Sequence, residues 1–70
     1  MKFAVVHDLP GRIRLRCGQY AFTEDEGFSL QEVLEKETFV ESIKVSHLTG
    51  SMLIFYKEGS RQNLLDVVSA

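Results

Sequence analysis

The chain carries one thiol, Cys17, and two imidazoles, His7 and His47. A single cysteine cannot close an internal disulfide, and one thiolate falls short of the two soft ligands that Cu(I) takes. Three carboxylates stand together in Glu24-Asp25-Glu26. That run resembles a cation cluster, but it is better explained as the acidic first turn of a helix, where carboxylates offset the helix dipole. Arg12, Arg14 and Arg16 alternate with Ile13, Leu15 and Cys17, which points to a row of guanidinium groups on one side of a strand. No nucleophile has a base partner in its sequence context. Leu9-Pro10-Gly11 is too short to be a phosphate-cradling loop. Catalytic residues are therefore not expected in this chain.

The elements that would position these groups are readable from periodicity. Lys2 to His7 is rich in strand formers, and Leu9-Pro10-Gly11 makes a turn. The strict alternation from Arg12 to Cys17 is that of a half-buried strand. A three-residue hairpin loop would set His7, Val5 and Phe3 opposite Ile13, Leu15 and Cys17, all six on the core face. Thr23 to Glu26 reads as a capping box opening a helix, with Leu30, Val33 and Leu34 as its apolar stripe and Gly27 one turn earlier. A rival start lies at Ser29. Val40 to His47 and Ser51 to Tyr56 read as two further strands joined by a turn at Leu48-Thr49-Gly50. Ser60 caps a last helix with Leu64, Leu65, Val67 and Val68 on its apolar side.

The order ββαββα is α+β. Without its first strand it is a ferredoxin-like βαββαβ fold that lacks its last strand. The N-terminal strand can fill the vacant edge, which predicts a four-stranded antiparallel sheet with both helices on one face. The strand order would be N-terminal strand, arginine strand, Ser51 strand, Val40 strand. Residues 1–70 are expected to form a single domain.

Seven of the ten acids fall between Glu24 and Glu41, so the predicted fold separates an acidic helix from an arginine-bearing sheet face. The open face would carry Arg12, Arg14, Arg16, Lys44, Ala4, Val6, Leu53 and Phe55. It reads either as a solvated face, with arginine stems covering their neighbours, or as a docking surface. Arg14 is placed to lie over Phe55 in a cation–π contact. The formal charge of −2 argues against a general binder of nucleic acid. A single aromatic on that face, without the RNP1 pattern, makes an RNA-binding sheet the least favoured reading. No apolar run reaches the roughly 20 residues of a membrane span, so a cytoplasmic location is expected, with no direct membrane insertion.

Several stretches together resemble one family: His7-Asp8-Leu9-Pro10-Gly11-Arg12-Ile13-Arg14-Leu15, Thr23-Glu24-Asp25-Glu26, Val40-Glu41-Ser42-Ile43-Lys44-Val45, and Thr49-Gly50-Ser51-Met52-Leu53-Ile54-Phe55-Tyr56. The chain resembles the heavy-metal-associated-like N-terminal domain of bacterial metal-translocating P-type ATPases, in the branch without CxxC. The resemblance implies a ferredoxin-like cytosolic domain ahead of the membrane helices of an ATP-driven cation pump. Metal-carrying relatives place Met-x-Cys-x-x-Cys after the first strand of the fold. Here that place reads Cys17-Gly18-Gln19-Tyr20, with tyrosine where the second cysteine would stand.

The expected function is a non-catalytic regulatory or interaction domain of such a pump, without a complete metal-binding motif. The alternative is a free-standing metallochaperone-like or protein-docking module of the same fold. Arg12, Arg14, Arg16, Leu53 and Phe55 form the expected interaction surface, toward other cytosolic domains of a membrane ATPase or a partner protein. No cofactor is expected. Cys17 is the weak candidate for a soft metal ion and otherwise a small buried hydrophobe. His7, near Arg12 and the proline turn, is expected to be a structural histidine bonding the hairpin backbone, with regulation as its other reading. His47 is expected at the surface, two strands away from Cys17.

Overall fold

The computed structural model describes residues 2–69. Four strands and two helices follow one another as β1 (Ala4–Leu9), β2 (Arg12–Arg16), α1 (Glu24–Glu35), β3 (Val40–Ser46), β4 (Ser51–Tyr56) and α2 (Arg61–Ser69). The sheet is antiparallel throughout, in the order β1-β2-β4-β3. This is the ferredoxin-like arrangement with β1 lying where the usual last strand would be, as the sequence predicts. Ile13 and Leu15 of β2, Ile43 of β3 and Met52, Ile54 and Tyr56 of β4 form one core with Leu34 of α1 and Leu64 and Val68 of α2. Both helices therefore lie on the same side of the sheet. Five of these side chains, Ile13, Leu15, Met52, Ile54 and Leu64, are fully enclosed, each contributing about 1.5–3 kcal/mol by burial.

Local chemistry accounts for the element boundaries. The Thr23 side chain accepts from the Glu26 amide at 3.2 Å, and the Glu26 carboxylate accepts from the Thr23 amide at 2.9 Å. The capping box thus starts α1 at Glu24, and the rival start at Ser29 falls inside the helix. Gly11 takes φ +78° after Pro10, which is the third position of a type II turn and needs glycine.

The hairpin departs from the expected register. Its loop has two residues, Pro10 and Gly11, because Leu9 pairs with Arg12. Asp8 then faces Ile13, His7 faces Arg14, and the register shifts by one residue at Val6 so that Val5 still pairs with Leu15. His7 therefore lies on the open face and not in the core. Val6 occupies a bulge and not a regular open-face position. Val5 faces the core side yet stays 40% exposed, because an edge strand has a neighbour on one side only. A second shift, between Val40 and Ser42, interrupts the other edge strand. Bulges on both edges twist the free backbone away from a template for strand addition. On α1, Leu34 and Gly27 are buried, but Val33 is 54% exposed and does not join the core.

Candidate functional site

Two regions gather the residues singled out by sequence. The first is the loop that follows β2. Cys17 is half-buried at its start and donates its backbone N–H to the Gly50 carbonyl at 2.7 Å. Burial pushes the Cys17 thiol above its ordinary pKa. The Ala21 amide reaches back to the Gly18 carbonyl at 3.1 Å, closing a turn whose third residue is Tyr20. Tyr20 has φ +66° and is 88% exposed. Type II turns keep that position for glycine or asparagine, so a tyrosine there holds backbone strain without burying its ring.

The loop ends on Phe22, which is buried directly before the Thr23 cap. Its ring lies against Gly27: a Cβ built there would stand 3.4 Å from Phe22 and 3.3 Å from Val45. This is a hydrophobic staple whose helical partner is a glycine. His47, just beyond β3, has its Nε2 3.7 Å from a Glu24 carboxylate oxygen at the start of α1.

Strain without compensating burial makes Tyr20 a place where stability can be gained. Tyr20→Gly is expected to raise stability by about 0.5–1 kcal/mol, since glycine adopts positive φ freely. Thermal or urea unfolding of the two proteins would check this; an unchanged or lower stability would mean the ring makes contacts that offset the strain.

The loop offers a soft metal ion one thiol, that of Cys17. The chain has no second cysteine, and Met52 is enclosed in the core. Among the described residues no three of His, Cys, Asp and Glu converge as metal ligands.

The second region is the open face of the sheet. Cross-strand pairing arranges it in rows: Leu9, Arg12, Phe55 and Ser42, then His7, Arg14, Leu53 and Lys44, then Ala4, Arg16, Ser51 and Ser46. These paired positions hold four of the eight Lys and Arg residues and none of the ten acids, so they carry +4 while the rest of the chain carries −6. Register gives the cation–π contact to Arg12 and not to Arg14. Arg12 is directly opposite Phe55, with its guanidinium carbon 5.9 Å from the ring centroid, whereas Arg14 faces Leu53. Phe55 and Leu53 are half-buried among these stems.

His7, Leu9, Arg12 and Arg14 line a shallow cavity of about 210 Å³. Among the described residues His7 makes no side-chain hydrogen bond or ion pair, so it does not tie down the hairpin backbone. Arg12, Arg14 and Arg16 likewise have no carboxylate partner among the described residues. Arg61 does: it grips Asp8 at 2.8 Å and 3.0 Å, joining α2 to β1.

Sequence reasoning brings the three arginines, Leu53 and Phe55 together on one face, as found. It misses the conformation of Tyr20, the burial of Phe22 and the Asp8–Arg61 pair. Phe22 carried a legible signal, an aromatic directly before a cap, masked because the staple's other half is Gly27. The Asp8–Arg61 pair spans 53 positions and has no local signature.

The family model described as Heavy metal associated domain 2 matches residues 2–68. No curated protein and no solved structure matches the chain.

Proposed function

The chain belongs to the heavy metal associated domain 2 family, and from that premise we propose that it is a regulatory or interaction domain of a heavy-metal-transporting P-type ATPase, on the cytosolic side and without a metal site of its own. Domains of this family type are metal-binding or interaction modules and, as a rule, not enzymes. The composition of the loop after β2 favours interaction over metal carriage, with one thiol in place of two. The observation that carries the proposal is the open sheet face, where Arg12, Arg14, Arg16 and Lys44 surround Leu53 and Phe55 and no acid shares the paired positions of that face. Unneutralised cations around a half-covered apolar centre suit an acidic protein surface with its own apolar centre. RNA fits less well, because Phe55 is the single Phe, Tyr or Trp at the paired positions of that face and Arg12 lies over it.

Two measurements test this reading. The coding sequence beyond residue 70 should continue into membrane-spanning helices and an Asp-Lys-Thr-Gly motif. In solution, Arg14→Glu and Phe55→Ser should each weaken binding to the cytosolic domains of that ATPase by about tenfold or more. Both positions are half-buried on the outer face, so each substitution should cost only about 1 kcal/mol in stability. Wild-type affinity in both variants would remove the open face from the docking account.

A further inference from the structure

On the opposite side of the sheet, the helical layer is not closed. α1 packs along β3, and between α1 and α2 there is a groove of about 500 Å³. Its floor is the core itself: Leu34, Met52 and Val68 are all buried. Val33 and Val67 form its walls, and this location explains why Val33, an apolar residue at a core-facing spacing, stays exposed. Asp25 and Glu26 stand at its rim, and no Lys or Arg lines it. The surrounding charge has the same sign. α1 has five acids and no base over Glu24–Glu35. In α2, Asp66 is acidic, and the helix's arginine, Arg61, is already paired with Asp8.

We propose that this groove is a second docking site, taking a basic amphipathic helix of a partner protein. The apolar face of that helix would lie on Val33, Val67 and the floor, and its lysines or arginines would meet Asp25 and Glu26. Charge complementarity selects the occupant: an apolar slot with an acidic rim favours a segment that joins hydrophobic anchors to cations and disfavours an acidic one. Helical form follows from shape. A groove between two helices admits a third that completes the layer, whereas both sheet edges, the places where an extended segment would add, are interrupted by bulges. The twelve residues of α1 span about 18 Å, enough for three turns of a partner. The proposal is independent of the open face and of the ATPase assignment.

The test uses the full chain and two synthetic helical peptides. Both carry leucines at intervals of three and four residues; one has lysines between them and the other glutamates. Amide shift mapping should place the lysine peptide on residues around Val33, Val67 and Val68, with affinity at least about tenfold above that of the glutamate peptide. Val33→Asp and Asp25→Lys should each lower that affinity about tenfold, while Arg14→Glu, on the other face, should not. Val33 is exposed, so Val33→Asp should retain the wild-type dispersion of amide signals, and Asp25→Lys gives a second reading that removes no apolar contact. Equal binding of the two peptides, no binding of either, or shifts mapping elsewhere would overturn the proposal. So would self-association of the chain that Val33→Asp abolishes, since the occupant would then be a second copy.

Discussion

Tyr20→Cys is expected to convert the loop after β2 into a soft-metal site, with Cu(I) affinity rising by at least about two orders of magnitude, or about 3 kcal/mol. The substitution places a second thiol three positions after Cys17, a Cys-x-x-Cys spacing. Two thiolates supply the soft donors Cu(I) takes, where one does not. The turn closed between Gly18 and Ala21 folds the segment between the two positions back on itself, and position 20 is exposed, so a thiol there is open to an incoming ion. Competition against a colorimetric Cu(I) chelator, under reducing conditions, would measure the change. Cys17→Ser in the same background should abolish it. Sedimentation at equal concentration would show whether the ion sits within one chain or bridges two. Equal affinity of wild type and Tyr20→Cys would mean either that the loop cannot bring the thiolates together or that the wild type already holds the ion by other groups.

The largest loss of stability is expected from Gly50→Ala. Gly50 sits at φ +64°, and a Cβ there would be driven into the Gly18 backbone, inside the van der Waals envelope of its carbonyl. Neither side can yield cheaply. The Gly50 carbonyl accepts from the Cys17 amide at 2.7 Å, and the Gly18 carbonyl accepts from Ala21, so relief would break a hydrogen bond that ties the loop to the β3–β4 turn. Strain in the left-handed region and the clash together should cost at least about 2–3 kcal/mol, a drop of roughly 10–20 °C in Tm for a domain of this size. Gly59→Ala isolates the steric part. Gly59 also has positive φ, +89°, but nothing lies within 4 Å of the added carbon, so its cost should be about 1 kcal/mol. Equal losses in the two variants would show that the Gly18–Gly50 approach is not a constraint.

The element types, their order and most of their faces were present in the sequence because they depend on local periodicity. The alternation from Arg12 to Arg16 allows one burial pattern, and Ile13 and Leu15 are enclosed accordingly. The reciprocal Thr23–Glu26 bonds need only four consecutive residues. Strand order followed from one further rule, that an N-terminal hairpin strand can occupy an otherwise vacant sheet edge. The open-face grouping was legible for the same reason: Arg12, Arg14, Arg16, Leu53 and Phe55 share a face by parity alone.

Tertiary structure decided whatever depends on register or on distant backbone. A one-residue bulge at Val6 carries His7 from the expected core face to the open face, opposite Arg14, because strand parity reverses with each inserted residue. The pairing of β2 with β4 selects Arg12 over Arg14 as the cation on Phe55. Cys17 and Gly50 meet across 33 positions, and Asp8 and Arg61 across 53; no local pattern encodes either. The helix groove has the same origin. Val33 fits the apolar stripe of α1 by spacing, yet the space between α1 and α2 leaves it uncovered. Periodicity tells which way a side chain points within its own element, and only the packing of one element against another tells whether anything stands there to meet it.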